Sequence, residues 1–375
     1  MAEPGRSVLL RAVGDVALVG RAARALVERS SEDWRSTAAF LAEADITFAN
    51  VEMPIPRSEL ARVAVDVSPD LQGDPDALPL FMDSGLDVGA VATNHIMDWG
   101  EKGLVETLDA LRGSGVAVVG AGINLDEAIA PTVVERNGVR VGFCAFTPKQ
   151  RWTATRGAPG AAPLKLELVK QSLAAMDRPD VRVVSVHWGL EFSRYPTPED
   201  RRLARQIVDS GADLILGHHP HIIQGYERIG ASYVVYSMGN FIFDIYAGRL
   251  KHNYDPWDLS AGYLVEARLG EDGVETFDTV PTMIGDSGVG AIAKGEVRAR
   301  ILEQLREASD NIDAGTAAVW EHAGGRLVGH KINAYRTTLR DGGVMAVLPH
   351  LRRVRWRHVK LLVGFLRSRL LGRRA

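Results

Sequence analysis

Short apolar runs recur along this 375-residue chain, and five of them stop at residues able to bind a metal or move a proton. The clearest is Leu-Ile-Leu at residues 214–216, which ends at Gly217 and is followed at once by His218, His219 and His221. A run of that length reads as a buried strand. Open α/β sheets collect their chemistry at the carboxyl ends of strands, where the backbone leaves the sheet and side chains can point into a crevice. In an extended His-Pro-His the side chains alternate. Bringing His219 and His221 together therefore needs a sharp turn, which Pro220 helps to fix.

The same layout repeats. Residues 8–13 run into Gly14-Asp15, residues 46–49 deliver Asn50 and Glu52, and residues 88–92 lead to Asn94 and His95, with Asp98 beyond. Residues 181–186 deliver His187. Helical spacing between these runs is carried by Trp34, Ala38, Phe40 and Leu41, by Leu104, Leu108 and Leu111, by residues 164–176, and by Leu203, Ile207 and Val208. Residues 53–75 hold four prolines and read as a long loop over one rim. Asn137-Gly138 signals a tight hairpin between residues 132–134 and 139–146. Residues 233–237 and 262–269 read as antiparallel strands, and the latter forms a hairpin with residues 274–281.

Taken one at a time, a buried aspartate is a cap or turn residue and a histidine is a satisfied core group. Five strand ends together are harder to assign to packing, because each buried charge or imidazole has to be satisfied separately. The donors are carboxylates, amide oxygens and up to five imidazoles, without thiolate. Mixed O/N sets suit Mn²⁺, Fe²⁺ or Zn²⁺ and argue against Ca²⁺ or a cysteine-built zinc site. Six or so donors exceed the needs of one open ion, whereas two ions about 3.5–4 Å apart, sharing a carboxylate, would use them. His95, beside Asn94 and near Asp98, is then placed to protonate a leaving group, with the carboxylate fixing its orientation. Asn50, Glu191, Arg194 and His218, with Lys149 and Arg151, are candidate contacts to an anionic substrate, since arginine forks match phosphate and carboxylate bidentately.

Gly14-Asp15, Asn50-Val-Glu52-Met-Pro54, Asn94-His95-Ile-Met-Asp98-Trp-Gly100, His187-Trp-Gly-Leu-Glu191-Phe, Gly217-His-His219-Pro-His221 and Tyr236-Ser-Met-Gly-Asn240-Phe-Ile-Phe-Asp244 resemble the motif series of the CapA family. That family is associated with poly-γ-glutamate capsule synthesis and belongs to the calcineurin-like metallophosphoesterase superfamily. The resemblance runs from about residue 8 to about residue 308. It implies a four-layer α/β/β/α sandwich over residues 1–310, followed by a C-terminal helical extension over residues 311–375. It further implies two divalent ions: Asp15, Glu52 and His221 at the first, and Glu52, Asn94, His187 and His219 at the second. Glu52 would bridge, His95 with Asp98 would act as the acid, and Asn240 and Asp244 would line or brace the site. The chain departs from the superfamily at Ala17, where a histidine ligand is usual. The first ion thus lacks a donor: it would be weaker, filled by water or repaired by His218 or Asn50, and a one-ion protein is an alternative. Three readings follow: hydrolysis or transfer at an amide or phosphoryl centre in γ-glutamyl polymer metabolism, a general phosphomonoesterase or phosphodiesterase, or a non-catalytic scaffold of a membrane-bound polymer synthase.

Charge is divided along the chain. The net value is −3, but residues 352–375 hold eight arginines, one lysine and no acid, which leaves residues 1–351 at −12. Residues 354–371 alternate apolar and basic positions at helical spacing, too charged to span a bilayer but suited to an anionic lipid surface or a protein partner. No nucleic-acid reader motif is visible. Residues 1–7 do not have the order of a signal peptide, and the lone Cys144 sits in an apolar run, so a cytoplasmic setting, peripheral at the inner membrane face, is expected.

Overall fold

The structure, a computed structural model, describes residues 6–60, 71–148, 153–244 and 255–313. In chain order its strands are β1 (Ser7–Val16), β2 (Ile46–Val51), β3 (Leu86–Ala90), β4 (Ala117–Val119), β5 (Ala121–Gly122), β6 (Thr132–Arg136), β7 (Val139–Phe146) and β8 (Gly160–Ala161). They continue with β9 (Val181–His187), β10 (Leu214–His218), β11 (Tyr226–Ile229), β12 (Ser232–Val235), β13 (Asn240–Ile242), β14 (Ala261–Gly270), β15 (Gly273–Ile284) and β16 (Gly290–Ile292). One sheet runs β16-β15-β14-β1-β2-β3-β4, with β13 also paired to β1, and a second runs β11-β12-β10-β9-β7-β6. The short β5 and β8 pair separately.

Alternation along the strands explains why the sheets stack. Val8, Leu10 and Ala12 of β1, Phe48 of β2, Val141 and Phe143 of β7, Val183 of β9 and Leu214 and Leu216 of β10 all enter one buried cluster between the sheets. Their neighbours face outward: Val13, Ala49 and Val51 pack under Leu26, Trp34, Leu41, Leu104 and Leu108, whereas Cys144, Phe146, Val184 and Ile215 pack under Val169, Leu173 and Ile207. Sheets covered on both faces need strands that are apolar throughout, as these are. The helices supplying the covers are Gly20–Val27, Glu32–Ala42 and Gly100–Gly113 on one side and Leu166–Ala175 and Pro198–Val208 on the other. The result is the expected four-layer α/β/β/α sandwich. Local chemistry supports the covers: Ser31 caps Glu32–Ala42, and Thr197 and Asp200 form a capping box behind Pro198.

The strand at Ser232–Val235 corrects one expectation. It is antiparallel to β11, as expected, but parallel to β10, so the antiparallel reading holds on one edge only. The strand β13 and the helices Gly20–Val27 and Gly295–Asp310 are additional to the elements read from the sequence. Lys149, Arg151 and the basic segment 354–371 lie outside the described residues. Among the described residues no helix is long and apolar enough to cross a membrane.

Candidate metal centre

The carboxyl ends of β1, β2, β9 and β10 converge at one rim. Asp15 sits in register with Asn50 of β2 and Asn240 of β13, so three polar side chains meet across three neighbouring strands. Gly14 makes this possible: a Cβ there would stand 2.1 Å from the Gly239 carbonyl oxygen, while the Asp15 amide donates to that same oxygen at 3.0 Å. On the facing sheet His218 ends β10 in register with His187, which ends β9. The turn that follows is sharp, as the sequence required. His219 has φ +94° and His221 has φ +61°, left-handed values that cost about 1–3 kcal/mol each for residues other than glycine. They bring the two rings within 5.9 Å of each other.

Asp15 is wholly buried and well supplied with donors. Its Oδ1 accepts from Asn50 Nδ2 at 2.9 Å and its Oδ2 from the His219 amide at 3.2 Å. His218 Nδ1 and His221 Nδ1 approach at 3.4 and 3.3 Å. Burial acts to raise its pKa, but the hydrogen bonds and charges of His218 and His221 outweigh it and hold the carboxyl well below the usual range. Glu52 is equally buried, and neither of its oxygens has a hydrogen-bond partner. Around it stand His221 Nε2 at 3.5 Å and His187 Nε2 at 3.7 Å. Burial pushes its pKa up to about 7, opposed by His221 and reinforced by Asp15. For His221 itself burial works downward, and Glu52 and Asp15 overcome it to raise the imidazole to about 10.

Donor atoms of Glu52, His219 and His221 lie within 4.8 Å of one another, all from buried side chains. An unsatisfied carboxylate facing two imidazoles is the arrangement a divalent ion would complete, because an orphaned buried charge is otherwise costly. The residues present therefore fit a metal. Asn94 and His187 adjoin this group and meet each other, Asn94 Oδ1 to His187 Nε2 at 2.7 Å, with His219 Nδ1 at 3.1 Å from the same nitrogen. Nearby, His95 Nδ1 lies 2.7 Å from Asp98 Oδ2. Burial lowers the His95 pKa, but the Asp98 hydrogen bond and the charge of Glu52 prevail and raise it.

The remaining sequence candidates occupy distinct places. Asn240 Oδ1 is 3.0 Å from His221 Nδ1 while its amide nitrogen donates to the Leu259 carbonyl, so it orients the imidazole. Asp244 instead receives the Arg21 amide and guanidinium at the start of Gly20–Val27. Glu191 is 45% exposed in its side chain and stands 3.9 Å from His219 Nε2, at the open side of the group. Arg194 is committed to the buried Asp258 at 2.6 Å. Phe192 and Phe243 wall His221, with ring centroids 5.8 and 5.3 Å away. Sequence reasoning did not single them out as site residues. The alternation Asn240-Phe-Ile-Phe, immediately after a polar turn, was the available signal for Phe243.

A family model described as bacterial capsule synthesis protein PGA_cap matches residues 9–245. The capsule biosynthesis protein CapA of Bacillus anthracis is 29% identical over 325 residues, covering 84% of this chain and 75% of that protein. The PGA biosynthesis protein CapA of Bacillus subtilis strain 168 is 28% identical over 305 residues, covering 80% and 77%. Among solved structures, a phosphatase from Mycoplasma pneumoniae has a TM-score of 0.46 at 12% identity, over 80% of this chain and 98% of that one.

Proposed function

Because the chain belongs to the bacterial capsule synthesis protein family PGA_cap, we propose that its strand-end site binds divalent metal and catalyses hydrolysis or transfer at an amide or phosphoryl centre in γ-glutamyl polymer metabolism. The observation that carries this reading is Glu52, a fully buried carboxylate with both oxygens unsatisfied among the imidazoles of His187, His219 and His221. Glu52, His219 and His221 would hold the ion, and Asp15, Asn94 and His187 would extend the set to two. Mixed oxygen and nitrogen donors favour Mn²⁺, Fe²⁺ or Zn²⁺. Such an ion supplies Lewis acidity toward a phosphoryl or acyl oxygen and acidifies water.

The chain's own groups supply the rest. His95 carries a proton at Nε2 while Asp98 holds Nδ1, which orients the ring and favours its charged form, as a general acid toward a leaving nitrogen or oxygen requires. Phe192 and Phe243 shield His221 from water. The half-exposed Glu191 borders the open side, where an anionic substrate or γ-glutamyl chain would enter. The basic segment 352–375 would bring this acidic body to an anionic membrane surface or a protein partner on the cytoplasmic side.

Metal content per chain, measured on wild type and Glu52→Ala purified without chelator, tests the centre. One or two ions in the wild type, lost in the variant, support it; no ion in the wild type even after reconstitution defeats it and leaves the scaffold reading. Release of phosphate from generic esters with Mn²⁺, against cleavage of γ-linked amides alone, separates the general phosphoesterase from the polymer enzyme.

A further inference from the structure

His221 holds a left-handed backbone, φ +61°, that histidine does not favour, so its place depends on what surrounds it. Two neighbours define that place. Asn240 Oδ1 meets its Nδ1 at 3.0 Å, and the Phe192 ring stands 5.8 Å from its own. The other end of Asn240 fixes which way its amide faces: Nδ2 donates to the Leu259 carbonyl at 3.0 Å, and a carbonyl can only accept. Oδ1, also only an acceptor, is what remains for the imidazole. His221 therefore carries a proton on Nδ1, and Nε2, 3.5 Å from Glu52 Oε1, is the nitrogen offered to an ion.

The two neighbours come from different sheets. Phe192 lies in the loop after β9 of the second sheet, and its amide donates at 2.8 Å to the carbonyl of Pro220, in the turn between His219 and His221. Asn240 opens β13, which pairs with β1 of the first sheet. Among the described strands no backbone ladder joins β9 to β13. A side-chain bond does that work. Arg194, two residues beyond Phe192, donates Nη2 to Asp258 Oδ1 at 2.6 Å, and Asp258 directly precedes Leu259 in the short helix Pro256–Ser260. The Asp258 side chain is 1% exposed and that of Arg194 36%, with the Arg194 Nε buried and without a hydrogen-bond partner among the described residues. The guanidinium has thus given up part of its hydration to reach Asp258. Removing Arg194 would strand a buried carboxylate, so this pair is more than a surface contact.

We infer that Arg194 and Asp258 are positioning residues for His221. Their bond closes a ring of contacts that runs from His221 through Asn240, Leu259, Asp258, Arg194 and Phe192 back to His221. The ring ties the two sheets together at the rim and keeps His221 with Nδ1 on Asn240 and Nε2 toward Glu52. This rests on the reading of His221 as part of a metal site. It assigns Arg194 to the architecture of that site rather than to the grip on an anionic substrate, and the two roles separate cleanly: an arginine that only grips substrate leaves metal binding untouched.

The test uses the full chain, labelled with ¹⁵N-histidine, stripped with chelator and loaded with Zn²⁺, as wild type, Arg194→Met, Asp258→Asn and the double variant. Zn²⁺ affinity is read by chelator competition, and the His221 ring by its Nδ1–H and Nε2 signals, assigned with His221→Gln. Each single variant is expected to bind Zn²⁺ about tenfold less tightly, the lower end of the cost of a residue behind a ligand. The double variant should lose no more than either single one, because all three cut the same link. The His221 Nδ1–H signal should move in every variant while that of His95, held by Asp98, stays in place. If Asp258→Asn fails to fold because it strands the Arg194 charge, the double variant removes both charges and carries the same expectation. Folded variants with wild-type Zn²⁺ affinity and an unmoved His221 signal overturn the inference and leave the metal centre intact. Losses that add in the double variant, or that move His95 as much as His221, also overturn it, since they mark a general loosening. A wild type that takes up no Zn²⁺ overturns both readings.

Discussion

Asp15 and Glu52 end neighbouring strands and are equally removed from water, yet their surroundings drive them in opposite directions. On the Asp15 side, donors arrive from every quarter: the Asn50 amide, the His219 backbone and the rings of His218 and His221, which together hold the carboxyl ionised. On the Glu52 side no donor is within hydrogen-bond reach, and burial pushes the carboxyl up to about 7. Burial alone therefore does not set the state of a carboxylate; the donors that accompany it do. Asp15 is satisfied by protein, whereas Glu52 has no hydrogen-bond partner.

The largest effect follows from removing the Glu52 charge. Glu52→Gln keeps the shape of the side chain and removes its anion. Its affinity for divalent metal should fall by more than about 100-fold, beyond the usual cost of changes behind a ligand, and turnover should drop to background. Elemental analysis after dialysis against low metal checks this, and a variant that retains its ions would break the contrast between the two carboxylates. Next in size is His95→Ala, expected to lower turnover by about 10²–10⁴ with metal content unchanged. Equal rates on substrates with good and poor leaving groups would remove His95 from the acid role.

A third prediction uses stability in chelator-treated protein, where the two sides should respond with opposite sign. Glu52 has a folded pKa raised from 4.5 to about 7, so the folded chain binds this proton more tightly and its contribution to stability falls as pH rises across that window. Asp15 is depressed, so its contribution is present above the ordinary value of 3.8 and is lost as pH falls through the folded value. At pH 7 without metal, Asp15→Asn should cost about 1–3 kcal/mol, while Glu52→Gln should be neutral or stabilising and should flatten the slope between pH 4.5 and 7. Urea unfolding over that range reads both. Parallel behaviour of the two variants would mean that donors at Asp15 do not distinguish it.

Much of this frame was legible because it is written locally. Apolar runs ending in Asp15, Glu52, His187 and His218 locate four strand ends, and alternation along them gives the inter-sheet core. What escaped was non-local or conformational. β13 is three residues long and exists through its pairing with β1, 225 residues away at the Asp15–Asn240 register. Arg194 was legible as a loop cation, but its partner Asp258 lies on a helix 64 residues on, and nothing in either sequence neighbourhood announces the other. The helix Gly20–Val27 starts at a glycine with φ +56° and has no side-chain cap at Val19, so the usual start signal was absent. The positive φ of His219 and His221 is imposed by the site, since histidine has no intrinsic preference strong enough to declare it.

The smallest effect concerns the one imidazole near the centre whose partner is a dedicated carboxylate. His95 is buried, which alone would lower its pKa, and Asp98 at 2.7 Å reverses that. In the wild type the proton needed by an acid is thus retained above the ordinary value of 6.5, and activity should decline only as pH rises beyond it. Asp98→Asn keeps a hydrogen-bonding side chain but removes the charge, so burial regains control and the pKa falls. The alkaline limb of the pH–rate profile should then move to lower pH, with a loss of about tenfold in turnover at neutral pH, the lower end of the cost of an orienting carboxylate. Metal content should stay constant, because neither His95 nor Asp98 belongs to the Glu52, His219 and His221 group. A limb that stays in place while the rate falls would make Asp98 a brace for the loop, through its contact with the Leu71 amide, and would assign the titration to another group.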